Sequence, residues 1–270
     1  MAGDIRALAG SGCHLGTLPH CGFPGPTVYS FIWKPLFHIG RFNFSKPDLL
    51  VLICAALVIA FFWAAFAKPQ QIPRGVQNLG ELAILFVRDQ MLRPMMGKDG
   101  DRFLPYLVSL FFFVWMMNLM EIIPVAQFPV TSRIAFPVTL MIMVYGTYTY
   151  LGIKNQGLLG YFKNMIPAGA PWYIMPILAP VEIAQYIAVR PFTLAIRLFA
   201  NMFAGHILIL VFTLATWYMF TIGIGILYSA TSFVLVIVLT AFEMFIQGLQ
   251  AFIFTILTAQ YIGGSLEAAH

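Results

Sequence analysis

The sequence is poor in charge. Lys, Arg, Asp and Glu make up 9% of its 270 residues, against about 25% in an ordinary soluble domain. That scarcity excludes a chain bathed in water on all sides, and with 60% apolar residues it points to an integral membrane protein. Short alternating segments are also missing, which excludes a β-barrel of the outer-membrane kind. Cysteine is scarce, three in all, and no paired C-x-x-C spacing occurs, so a zinc module of the usual kind is not encoded. Cys13 and Cys21, with His14 and His20 beside them, can be drawn as a metal site, the alternative being a loosely ordered tail. Cys54 reads as a small packing residue in an apolar span. Residues 1 to 30, rich in Gly and Pro, lack the continuous apolar core of a signal peptide, so the first span is expected to serve as its own insertion signal. No nucleophile, metal or phosphate motif stands out, which leaves an enzyme with little support. The net charge of +5 comes mostly from loops flanking the spans, so nucleic-acid binding is a poor reading.

What is present is apolar length. A helix needs about 20 residues to cross the hydrocarbon layer, and "DLLVLICAALVIAFFWAAFA", 48–67, closed by Lys68 and Pro69, is long enough. A polar stretch follows, with Arg74, Arg88, Arg93, Lys98 and Arg102 around the amphipathic piece "GVQNLGELAILFVRDQML". This segment, about 73–94, is expected to lie at the interface as a helix. "FLPYLVSLFFFVWMMNLMEIIPV", 103–125, and "IAFPVTLMIMVYGTYTYLGI", 134–153, make two more spans. After a short polar segment with Lys154 and Lys163, apolar sequence runs almost unbroken from Trp172 to Gly264. The expected fold is an all-α polytopic membrane protein of about five helices. Its last two, about 172–222 and 226–262, form a long hairpin turning at Gly223 and Gly225. Helices over 191–220 and 226–262 would be about 45 and 55 Å long, which calls for strong tilt in the membrane. Pro180 and Pro191 are candidates to kink or begin helical segments. Lys and Arg concentrate after spans one and three, so those loops should face the cytoplasm, with the N-terminus outside and the C-terminus inside.

The hairpin carries polar residues where lipid would forbid them. Thr193, Arg197 and Asn201 recur every four positions and share a helix face, while His206 points roughly half a turn away. Glu243, Gln247 and Gln250 form a stripe on the last helix. An ionised side chain at the bilayer centre costs between about 2.5 and more than 10 kcal/mol, so Arg197 should face protein or water. Two readings stand. In one, these faces line an ion path, since a basic residue, carboxylates, a histidine and amides together are the mixture that proton relays use. In the other they are glue: Arg197 a counter-ion for Glu182 or Glu243, Arg190 snorkelling to the interface, His206 a hydrogen-bonded interior residue, Asn201 and the glutamines bonds between helices, and Glu121 a solvated carboxylate at a span end. A third class, a secondary transporter using the arginine for an anionic substrate, predicts an inverted repeat, and none is visible between the two halves.

"RPFTLAIRLFANMFAGH", 190–206, resembles the signature R-L-F-x-N-x-x-A-G of subunit a of F-type ATP synthase, and "FEMFIQGLQAFIFTILTAQYI" resembles that family's last helix. The likeness continues through "NLMEIIPV" and covers roughly 37–264, the membrane domain being taken as 37–270 with residues 1–36 outside it. The resemblance implies a proton-translocating stator subunit with two aqueous half-channels, which couples proton flow to rotation and ATP synthesis. Arg197 matches the arginine that faces the ring of c subunits and separates the half-channels, Gln250 the glutamine beside it, and Asn201 the asparagine one turn on. His206 and Glu243 match an outer-channel pair that some relatives carry exchanged, and Glu121 an acidic residue near the outer mouth. Thr193 takes a small hydroxyl position, with Arg190 and Glu182 toward the inner exit and Gln247 on the same polar stripe as Glu243. The implied partners are the c-ring, peripheral-stalk b-type subunits, the rest of the complex and the bilayer. No cofactor or metal is implied, and the ATP-making sites belong to other subunits. The His206–Glu243 pair points to protons, and a bacterial plasma membrane is the expected location, with a mitochondrial inner membrane as the alternative.

Overall fold

An apolar run has no water to satisfy its amides in lipid, so it folds as a helix, whose backbone bonds are internal. The computed structural model describes residues 23, 25–26, 37–39, 42–123, 126–164, 173–221 and 223–266. Cys13, His14, His20 and Cys21 lie outside the described residues. A small antiparallel hairpin comes first, β1 (Phe37–Ile39) and β2 (Phe42–Phe44), with Phe37 opposite Phe44. Helices follow: α1 (Lys46–Phe66), α2 (Val76–Val87), α3 (Arg93–Met96), α4 (Leu104–Leu119), α5 (Ala135–Asn164), α6 (Met175–Ala184), α7 (Arg190–Tyr218) and α8 (Ile224–Leu266). Among the described residues, five helical stretches are long and apolar enough to cross a membrane: Lys46–Phe66, Lys98–Leu119, Ala135–Leu158, Met175–Tyr218 and Ile224–Leu266. The chain is a polytopic helical membrane protein.

Local chemistry sets the helix ends. Ser45 opens α1: its amide and hydroxyl both donate to Asp48 Oδ2, at 2.8 and 2.6 Å, which fills donors that a helix start leaves orphaned. Between α6 and α7 the chain widens into a π turn, Gln185–Val189, where the Arg190 amide donates to the Gln185 carbonyl. Pro191 has no amide to offer the carbonyl four residues back, and a wide turn just before it absorbs that loss without ending the helix. Gly223, with φ of 105°, makes the turn into α8, a backbone conformation open chiefly to glycine. Gly225 lies within the first turn of α8 instead.

Several ends differ from the sequence expectation. The second span leaves helix at Leu119, short of Val125. The third continues past Ile153 to Asn164, broken only at Gly157, where φ is 73° and ψ 164°. Lys154, Asn155 and Gln156 are polar, yet none of them breaks a helix, so polarity marks the end of the apolar run and not of the helix. α8 is 43 residues long, about 65 Å at 1.5 Å per residue.

The described residues group into two compact units. One holds the described residues within 1–53, 117–133 and 200–248; the other holds those within 54–116, 134–199 and 249–270. In the first, Met117, Phe128, Val130, Met202 and Leu210 are fully covered. Lys46 Nζ donates to the Ala126 carbonyl at 2.8 Å, and Ser229 and Ser232 donate from α8 to the carbonyls of Thr216 and Phe212 on α7 at 2.8 and 2.9 Å. Serines that bond across helices let two backbones approach closely where lipid supplies no hydrophobic drive. In the second unit the core is Met91, Leu92, Leu107, Leu198, Phe254 and Ile262, with Phe86 against Phe111 and Phe252 at 5.8 and 6.4 Å between ring centres.

Burial is inverted relative to a soluble protein. Asn118, Glu121, His206, Glu243, Gln247 and Gln250 are buried, while Trp63, Phe233, Val238 and Phe245 are largely exposed. Such faces belong against lipid or a partner chain.

Candidate functional site

The first unit gathers ionisable groups from three parts of the chain. Glu121 lies in the turn just beyond α4, two residues after its last helical residue. His206 comes from α7, and Glu243 and Gln247, one turn apart, from α8. Glu121 Oε1 stands 2.8 Å from His206 Nδ1, and Gln247 Nε2 donates to Glu121 Oε2 at 3.0 Å. Both carboxylate oxygens are thus engaged. With Glu121 ionised, Nδ1–H must be the donor, because a carboxylate only accepts; in a neutral ring Nε2 is then the acceptor nitrogen. Phe128 meets the imidazole edge-on, with ring centres 6.0 Å apart. Glu243 lies close enough to Glu121 for the two carboxyls to interact, and its side chain fills the space beside Gly205, where any Cβ would collide with the carboxylate oxygens. Asn118 closes the group: its Nδ2 donates to the Gln247 carbonyl at 3.4 Å, and its Oδ1 accepts from Thr131 at 2.7 Å. Glu121, His206, Glu243 and Gln247 are 8%, 5%, 5% and 0% exposed. Two carboxyls and an imidazole in bonding reach, screened from bulk solvent, can hand a proton from one to the next.

A family model described as ATP synthase A chain matches residues 49–263. The chain belongs to this family. Among its relatives, ATP synthase subunit a of Streptomyces lividans is 47% identical over 264 residues, covering 96% of this chain and 92% of the relative. That alignment reaches into the first 36 residues, which the motifs do not. Subunit a of Frankia alni is 47% identical over 91% of this chain and 86% of its own length, and that of Rhodospirillum rubrum is 36% identical over 89% and 98%. Membership of the family places the chain in the ATP synthase complex, as a multi-pass membrane subunit.

The arginine at the centre of the family motif is in the second unit, and its surroundings differ. Arg197 is half-buried on α7 and makes no ion pair among the described residues, so the counter-ion reading with Glu182 has no bond behind it. Thr193 and Asn201, one turn to either side, are exposed. Gln250, on α8, is 2% exposed, and Glu182 on α6 is half-buried. Arg190 does not reach out alone: its guanidinium carbon lies 3.5 Å from the ring centre of Tyr186 and 5.4 Å from that of Tyr261, a cation–π pairing.

Of the residues singled out from the sequence, Glu121, His206, Glu243 and Gln247 are therefore brought together. Thr193, Arg197 and Asn201 share a more open face of α7, and Arg190 sits among tyrosines. Sequence reasoning missed Asn118, Thr131, Gly205 and the tyrosines. Asn118 carried a signal, as an amide inside an apolar span one turn before Glu121; Thr131, from a loop, carried none.

Proposed function

We propose that this chain is the proton-translocating stator subunit of a rotary F-type ATP synthase, with two aqueous half-channels against a ring of c subunits and a peripheral stalk of b-type subunits holding it still. Its home is a bacterial plasma membrane, N-terminus outside and C-terminus in the cytoplasm, in accord with the Lys and Arg bias of the loops. The long hairpin lies strongly tilted, since helices of this length overrun a perpendicular crossing.

A ring carboxylate can travel through lipid only when protonated, because desolvating its anion costs too much. At Arg197 it gives its proton to the inner half-channel, favoured by the adjacent guanidinium. Having turned past, it takes a new proton passed along Glu121, His206 and Glu243 from outside. Guanidinium is effectively never deprotonated in proteins, so Arg197 blocks a direct leak and does not relay. Gln250 and Asn201 flank it, Thr193 offers a hydroxyl beside it, Gln247 holds Glu121 in place, and Arg190 and Glu182 stand toward the inner exit. Each proton moved down 100 mV supplies about 2.3 kcal/mol, which the ring sums as torque.

The observation that carries the reading is the contrast between a buried cluster of Glu121, His206 and Glu243 and an arginine without an ion pair among the described residues on a partly exposed face. The test is ATP-driven acidification of vesicles containing the whole complex, wild type against Arg197→Ala, with assembly checked in the same membranes. An assembled variant that cannot pump is expected; normal pumping would leave the polar residues as glue between helices.

A further inference from the structure

The relay through Glu121 leaves a second polar group unused. In the second unit Tyr145, Tyr148 and Tyr261 run ring to ring, with centres 5.3 and 5.7 Å apart. Arg190 covers Tyr186 and reaches Tyr261, and Arg197 is near enough for its charge to act on Tyr261. Tyr148, Tyr161, Tyr186, Tyr261, Gln156 and Ser265 line a cavity with room for about one water. Gln156 Nε2 donates to the Ser265 carbonyl at 3.0 Å, which fixes that wall. Tyr148 is 3% exposed, and its hydroxyl has no protein hydrogen-bond partner among the described residues. Buried hydroxyls are almost always bonded, and a polar cavity beside one is where a water supplies the bond.

We propose that a water held in this cavity by the Tyr148 hydroxyl is the step by which a proton released beside Arg197 leaves through the inner half-channel, with Tyr148 as its positioning residue. The inference rests on the proton-channel reading above. The water accepts a proton on one lone pair and releases one of its own onward, so it ends as it began and the tyrosine O–H stays intact. The phenols of Tyr161, Tyr186 and Tyr261 give the cavity polar edges, and no carboxylate that would hold the proton lines it among the described residues. The Arg190 charge on Tyr186 and Tyr261 disfavours a resting hydronium, so passage is brief. An exit built of hydroxyls releases protons, whereas the carboxylates around His206 capture them.

The test uses vesicles containing the whole complex, with wild type, Tyr148→Phe, Tyr106→Phe and Arg197→Ala compared in H2O and D2O. Tyr106 is a tyrosine of the same unit that does not line the cavity. Tyr148→Phe keeps the ring and removes the water's anchor, so it should slow ATP-driven acidification by about threefold or more and enlarge the solvent isotope effect, which a structural role would leave alone. Tyr106→Phe should do neither. If Tyr148→Phe pumps at the wild-type rate with an unchanged isotope effect while Arg197→Ala does not pump, the exit site is wrong and the channel reading stands; if Arg197→Ala pumps normally, the channel reading falls first. Should Tyr148→Phe fail to assemble, Tyr161→Phe decides: it removes another hydroxyl-bearing wall of the same cavity, so slowed pumping supports the site and wild-type pumping overturns it.

Discussion

The Glu121 cluster and the Arg197 face meet the same problem, polar atoms in an apolar setting, under opposite conditions. Glu121, His206 and Glu243 are 8%, 5% and 5% exposed, with Glu121 bonded through both oxygens. Arg197 is half-buried without an ion pair among the described residues, and Thr193 and Asn201 beside it are exposed. A charged group inside a membrane must be covered by its own chain or by something else. The first cluster is covered by its own helices, whereas Arg197 lies on a face that is partly open. On the function proposed above the two act differently: the covered cluster passes protons internally, and the arginine acts on the ring carboxylate.

That comparison can be broken by altering the covered cluster alone. Gly205→Ala should have the largest effect, because its Cβ would occupy the Glu243 carboxylate's place. Overpacking of this kind costs about 1–3 kcal/mol, and displacement of Glu243 from the relay should lower ATP-driven acidification by about tenfold. Pumping near the wild-type rate would show that Glu243 need not sit there.

A smaller change sharpens the comparison. Thr131→Val removes the 2.7 Å bond to Asn118 Oδ1 while keeping the side chain's shape. It leaves a buried acceptor short of a partner, at about 1–3 kcal/mol, and should lower the thermal stability of the purified complex. Because Asn118 holds the Gln247 carbonyl and not a carboxylate, pumping should fall by no more than about twofold. A tenfold loss would mean that the amide network takes part in the relay itself.

Much of this architecture is legible in the amino-acid sequence. Apolar run lengths mark five spans, since helix is the only lipid-compatible answer to such runs, and the spacing of Glu243, Gln247 and Gln250 puts them on one face, which the fold buries. The meeting of Glu121 with His206 is not legible from spacing, because 85 residues separate them and period arguments act only within one helix. α5 outlasts its apolar run because Lys154 and Gln156 end the run but not the helix. The tyrosines around Arg190 stay hidden because aromatic residues are common throughout an apolar chain, so Tyr148 and Tyr261 carry no mark distinguishing them from core.

The most direct test of the two roles is passive proton conductance of vesicles whose complexes have lost the soluble catalytic head, with wild type, Glu121→Gln and Arg197→Ala compared at equal content of assembled subunit. The account predicts that Glu121→Gln lowers conductance, because entry depends on the covered relay, whereas Arg197→Ala keeps or raises it, because the seal is gone while the paths remain. If both variants lost conductance to the same extent, or if neither changed it, the division between a covered relay and an exposed seal would be contradicted.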